Sequence, residues 1–135
     1  MSATITIETS DHTQGVDITR QVQEAVEAAC LSDGVCVVYV THTTAAVAVN
    51  EAADPAVMED VFAALDRLVP WDGPYAHKEG NSAAHIKSVL VGSSVHLPVY
   101  DGRLQLGTWQ GIFFMEFDGP RRRRVLVKTV TNDWE

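Results

Sequence analysis

The stretch Val95-His96-Leu97-Pro98-Val99-Tyr100-Asp101-Gly102-Arg103-Leu104-Gln105-Leu106 decides the fold class of this chain. Val95 to Tyr100 and Arg103 to Leu106 are strand-like, and Asp101-Gly102 between them is the strongest hairpin signal present. A two-residue turn of this kind needs backbone conformations that Asp and Gly tolerate best. A third strand-like segment, Gly111 to Phe117, follows; Gly119-Pro120 marks another turn, and Arg124 to Val130 supplies a last strand. The C-terminal third therefore reads as an antiparallel meander.

Upstream, helices enter. Ala83, Ile86, Val89 and Leu90 fit a short helix that Gly92 ends. Asp54-Pro55 opens a longer one, the acid as N-cap and proline at the first helical position, with Val57, Val61, Leu65 and Leu68 as its apolar face and Pro70 as its stop. Ala45 to Val49 is a short strand, and the continuous apolar run Val35 to Val40 is expected to be buried on both faces. Before the Asp33-Gly34 break, Asp17 to Cys30 carries Ile18, Val22, Ala25, Val26 and Ala29 on one helical stripe, with Asp17 as N-cap; Thr4 to Thr9 is a β-branched strand. This order predicts an α+β domain spanning 1–135, with helices packed on one face of a mostly antiparallel, mixed sheet.

Composition narrows the function. The net charge is −8, and the first 120 residues alone carry five basic and sixteen acidic side chains. Such an acidic body argues against nucleic acid as a partner. No apolar run approaches a membrane span, and the N-terminus lacks a basic and apolar leader, so the expected compartment is the cytoplasm. Cys30 and Cys36 are expected to be free, small buried residues rather than a disulfide.

Three polar blocks interrupt this pattern: His42-Thr43-Thr44 to Asn50-Glu51 and Asp54; His77 to His85 through Gly80-Asn81-Ser82; and Gly107-Thr108-Trp109-Gln110-Gly111 to Glu116. His42 at a strand end suits a metal ligand, an acid–base group or a sheet-edge hydrogen bond. His77 and His85 can converge on one ion, although their spacing alone does not specify zinc. Glu51 has no capping role and could ligate a metal, orient an imidazole or move a proton. Glu116, within the apolar run Ile112 to Phe117, must be either paired or functional, because an unpaired buried charge is costly. Lys87 could steady a phosphate, and strand alternation sends Arg121 and Arg123 to one face and Arg122 and Arg124 to the other.

The blocks HTTAAVAVNEAADPAV (42–57), HKEGNSAAHIKSVLVGSS (77–94) and DGRLQLGTWQGIFFMEFDGPRRRR (101–124) resemble the YjbQ-like proteins, often labelled secondary thiamine-phosphate synthases. The resemblance covers nearly the whole chain and is weakest over residues 1–30. Ala46 stands where glycine is common, which would alter the turn after His42. The resemblance implies an α+β fold, a homotrimer, and a polar site near subunit contacts that takes metal ions and anions. Its matching positions are His42, Asn50, Glu51, His77, Asn81, His85, Lys87, Gln110, Glu116, Arg121 and Arg123. It also implies joining of a pyrimidine pyrophosphate to a thiazole phosphate with release of pyrophosphate.

Two functional expectations follow. In the first, a metal-dependent enzyme holds a divalent ion, zinc or magnesium, on His77 and His85 with His42. Glu51, His42 or Glu116 serve the chemistry, and Asn50, Asn81, Lys87, Gln110, Arg121 and Arg123 bind a small phosphorylated substrate. In the second, the same pocket belongs to a non-catalytic, homo-oligomeric phosphometabolite- or metal-binding protein.

Overall fold

The computed structural model describes residues 2–132. Its elements are β1 (Ser2–Glu8), β2 (Gln14–Asp17), α1 (Thr19–Ala28), β3 (Gly34–Val40), β4 (Ala45–Glu51), α2 (Pro55–Leu68), α3 (Ser82–Val91), β5 (Ser94–Tyr100), β6 (Arg103–Leu104), β7 (Gln110–Glu116) and β8 (Arg122–Thr131). The α+β class with antiparallel pairing is as expected. The hairpin turn is too, with Asp101 at φ 52° and Gly102 at φ 74°. Asp54 caps α2 by accepting a hydrogen bond from the Ala56 N–H at 3.0 Å, and Gly92 ends α3 at φ 108°.

The expected meander is corrected. The strands form two sheets, ordered β1-β8-β3-β5-β6 and β2-β7-β4. β7 leaves β6 to pair with β4 and with β2, a strand hidden in the polar segment before α1. Gly15 suits this strand because a Cβ there would stand 3.1 Å from Met58 and Phe62 of α2. The two sheets face each other across the main core, where Val38, Val40, Val125, Val127 and Leu97 meet Val47, Ile112, Phe114 and the buried face of α1. The other face of the small sheet, with Ala46, Phe113 and Met115, packs under α2 and α3. Helices α2 and α3 thus cover the small sheet, and among the described residues no helix covers the outer face of the large sheet.

That layering accounts for further departures. β3 is buried on one face only: Cys36, Val38 and Val40 point inward, whereas Val35 and Tyr39 are exposed. Leu68 is exposed as well; Met58, outside the expected apolar face of Val57, Val61, Leu65 and Leu68, is the buried residue of α2. Asp17 ends β2, its Oδ1 accepting from the Thr19 N–H and hydroxyl at 2.9 and 2.6 Å while Ile18 holds the N-cap position. Cys30 is exposed, not buried. Cys36 is buried, and desolvation pushes its thiol up to about 11, which keeps it an unreactive core residue. Ala46 is fully buried within β4 rather than in a turn. Among the described residues no helix is long and apolar enough to cross a membrane.

Candidate functional site

The histidine blocks converge. His77 precedes α3 and His85 lies in its first turns, half-buried at the margin of the buried face formed by Ala83, Ala84, Lys87 and Ser88. Their ring centroids are 5.3 Å apart, with the ring planes nearly perpendicular at 86°. His85 borders two clefts. One, of about 670 Å³, is shared with His42, Thr41, Thr43, Tyr39 and Ser93; the other, of about 590 Å³, is shared with His77, Tyr75 and Ser82. The described residues contain no group of three or more His, Cys, Asp or Glu side chains arranged for a metal. Two imidazoles, with Glu79 Oε1 4.0 Å from His77 Nε2, are what one chain brings together there. Glu79 was not singled out from sequence; its only signal is a carboxylate two residues after a histidine.

His42 has a committed geometry. Its Nε2 accepts a hydrogen bond from the backbone N–H of Arg124 at 2.8 Å. An accepting nitrogen carries no proton, so the ring proton of the neutral imidazole resides on Nδ1. Burial, then the charges of Arg123, Arg124 and Arg121, lower the pKa below the ordinary histidine value; Glu116 opposes them but does not prevail. The Nε2 lone pair is therefore unavailable to an ion while this bond stands, which separates His42 from the expected set His77, His85 and His42. In an NMR pH titration His42 should show a midpoint below ~6.5, the ordinary value for histidine. A midpoint at or above that value would show that the ring is solvated and the hydrogen bond absent.

Glu116 and Arg123 answer the question that their sequence position raised: they are paired. Both are buried between the sheets, with exposures of 0% and 3%. Arg123 Nε donates to Glu116 Oε1 at 2.8 Å, and Nη2 donates to Oε2 and, at 2.9 Å, to the Thr44 hydroxyl. Thr9 donates to Oε1 at 2.8 Å and the Asp118 N–H to Oε2 at 3.1 Å. Neither group lines the two clefts around the histidines. Arg121 is also committed: it donates to the backbone carbonyl and the carboxylate of Asp118 at 2.8 and 3.1 Å.

The remaining expected residues lie elsewhere. Asn50 and Glu51 end β4, opposite Gly111 and Gln110 of β7. The seven residues of β4, Ala45 to Glu51, span ~20 Å, which sets Glu51 apart from His42, just beyond the other end of the strand. Glu51 Oε2 accepts from the Ala53 N–H at 3.0 Å and Gln110 Oε1 from the Gly107 N–H at 2.8 Å, both local turn contacts. Glu51 borders a separate groove with Asp17, Glu59 and Asp66 over Met58 and Phe62. Lys87 is buried and pairs with Asp66 beside Trp71 and His12. Asn81 does not cap α3; its Nδ2 donates to Asp118 at 2.9 Å, and its buried Oδ1 has no partner among the described residues.

The family described as "UPF0047 protein YjbQ-like" matches residues 3–132. The chain is 49% identical to the UPF0047 protein MJ1081 of Methanocaldococcus jannaschii over 92% of its own length and 90% of that protein. It is 45% identical to the UPF0047 protein YugU of Bacillus subtilis, over 95% and 98%. Among solved structures, it is similar to an uncharacterized conserved protein of the YjbQ/UPF0047 family from Clostridium acetobutylicum at 49% identity and a TM-score of 0.93, covering 95% of this chain and 99% of that one. It is also similar to a protein of unknown function from Sulfolobus solfataricus at 32% identity and a TM-score of 0.94, covering 98% and 97%.

Proposed function

The chain belongs to the UPF0047 YjbQ-like family, and from that premise and the histidine geometry we propose that it is a metal-dependent enzyme acting on small phosphorylated substrates. The reaction to test first is thiamine-phosphate synthesis, the joining of a pyrimidine pyrophosphate to a thiazole phosphate with release of pyrophosphate. The observation that supports this is the 5.3 Å approach of His77 and His85 at the junction of two clefts. Two neutral imidazoles are a donor set suited to zinc and other borderline ions more than to magnesium, which prefers oxygen. A bound divalent ion would stabilise negative charge developing on the departing pyrophosphate. His85, reaching both clefts, would tie the ion's position to that of the substrate, and neutral His42 would orient substrate through its Nδ1–H.

Among the described residues the donor set is incomplete, and a second copy is the proposed source of the remaining ligands. The exposed apolar side chains near the histidines support self-association: Val89, 82% exposed, shares a cleft with Tyr39, which faces Leu126 across the strand pair. A homotrimer is the state proposed.

The test is metal content and mass of the purified, untagged protein beside His85→Ala, with pyrophosphate release assayed at controlled metal. About one bound ion per chain, lost in the variant together with turnover, is expected. Full turnover in His85→Ala would overturn the proposal. One observation favours a second reading, a non-catalytic binding protein: Glu116 is locked to Arg123, which leaves exposed Glu79 as the carboxylate beside the histidines. Ion binding and trimerisation without turnover would select it.

A further inference from the structure

The clefts of this molecule differ in charge. The grooves bordered by α2 carry Asp11, Asp17, Glu51, Glu59 and Asp66 in one case and Asp66, Asp72 and Asp118 in the other. The His42 cleft has no acidic residue in its lining, in a chain with eighteen acidic residues and a net charge of −8. Its polar lining comprises the His42 and His85 rings and the hydroxyls of Tyr39, Thr43 and Ser93, while the Thr41 hydroxyl donates to the Arg124 carbonyl at 3.5 Å. The Ser88 hydroxyl is not among the free ones, because it donates to the Ala45 carbonyl at 2.6 Å.

A cation stands beside this lining. In β8 the buried Arg123 and Val125 alternate with exposed Arg124, so the Arg124 side chain leaves on the outer face of the large sheet. Tyr39 of the cleft wall stands on that face opposite Leu126, one alternation away from Arg124. Diagonal neighbours of this kind are ~7–8 Å apart, within reach of an arginine side chain. Arg121 and Arg123 have their guanidinium groups bound to Asp118 and Glu116. The Arg124 guanidinium has no hydrogen-bond or ion-pair partner among the described residues. Arg124 thus contributes twice: its main-chain N–H holds His42 Nε2, and its side chain remains free.

We propose that the His42 cleft is an oxyanion-binding pocket, in which the Nδ1–H of His42, the Arg124 guanidinium and the Thr43 hydroxyl receive the phosphate group of a phosphorylated small molecule. A guanidinium offers two parallel donors to such a group. The fixed tautomer keeps one imidazole proton directed at the ligand without adding a second charge. The inference rests on the reading of this cleft as a small-molecule site and not on the ion.

The experiment is titration of the full chain with inorganic phosphate in the presence of EDTA, by calorimetry and by 15N NMR of the histidine rings. Wild-type protein should bind phosphate without metal, with His42 protonated at Nδ1 and its Nδ1 signal shifted by the ligand. Arg124→Gln retains the main-chain N–H and so retains the His42 anchor, yet should weaken phosphate binding by about tenfold or more. Lys128→Gln removes the same charge from the same face ~13 Å further along the strand, beyond the ~8 Å screening length of physiological salt, and should change the affinity less than twofold. Equal losses in the two variants would show a diffuse field rather than a pocket and overturn the proposal. So would an Nε2-protonated His42, or phosphate binding that appears only when zinc is added. The last outcome places the anion on the ion and leaves the proposed enzymatic function standing. Metal-free binding in a protein that shows no turnover supports the pocket while the enzymatic reading fails.

Discussion

Glu116→Gln lowers the unfolding free energy by about 3–5 kcal/mol. Glutamine preserves the shape of the side chain, so no cavity opens; the effect comes from charge. Glu116 has an exposure of 0% and its four described hydrogen-bond donors, Arg123, Thr9 and the Asp118 N–H among them, all address a carboxylate. The amide would turn its own NH2 group against a donor and leave the Arg123 guanidinium, 3% exposed, as a buried cation without a counter-charge. Breaking one half of such a pair is far more costly than replacing both halves, since two apolar residues of similar volume need no compensation. Glu116→Met combined with Arg123→Met should therefore recover most of the loss. Urea denaturation at neutral pH measures both variants. A cost below about 1 kcal/mol for the single variant would mean that water solvates Arg123.

The same pair sets an acid limit. Burial alone would raise the pKa of Glu116, but the hydrogen bonds from Arg123, Thr9 and Asp118, together with the charge of Arg123, carry it below the ordinary glutamate value. The unfolded chain then binds this proton near pH ~4.3 and the folded chain only at lower pH. Between the two values the unfolded state holds more protons, so stability rises with pH across that window. The contribution is complete above the ordinary value and is lost as pH falls through the lowered one. Stability curves of wild type and Glu116→Gln should converge as acid is added.

Local chemistry made several of these features readable. Asp101-Gly102 announces its turn because positive φ selects those residues, and Asp54-Pro55 announces a helix start because both residues suit its first positions. Period-two alternation separates Arg123 from Arg122 and Arg124 before any contact is known. What alternation cannot state is the partner. Nothing near β7 in sequence shows that it abandons the hairpin for β4 and β2, or that Glu51 ends β4 at the end remote from the turn that holds His42. His42 illustrates the limit best: its tautomer is decided by a main-chain N–H 82 positions away. The reach of His77 to His85 was legible because a loop and a helix start can close over a short span, whereas the Glu116–Arg123 pair needed the two sheets to face each other.

Gly34→Ala should cost about 3 kcal/mol, at the upper part of the range for overpacking. Gly34 begins β3, paired to Val99 on one side and Thr131 on the other. A Cβ at this position would stand 2.0 Å from the carbonyl oxygen of Val130 and 3.0 Å from its carbon, with Leu31 Cδ1 at 3.1 Å. The obstacle is backbone in a hydrogen-bonded ladder, so no rotamer change relieves it; β3 and β8 must separate locally. Gly80→Ala serves as the contrast, since a Cβ there meets nothing within 4 Å and only the φ of 78° resists it, a cost of about 1–2 kcal/mol. Denaturant midpoints of the two variants therefore separate a steric effect from a conformational one. Amide exchange in Gly34→Ala should accelerate along the paired segments of β3 and β8. The β8 N–H that anchors His42 belongs to Arg124, at the far end of that same strand pair. If the opening stays local, the His42 ring signals remain at their wild-type positions even as the Gly34 end frays. If the whole ladder shifts, the His42 signals move as well, and phosphate binding falls with them. A midpoint within about 0.5 kcal/mol of wild type would instead show that the strand end yields freely, and that the close approach to Val130 does not constrain the fold.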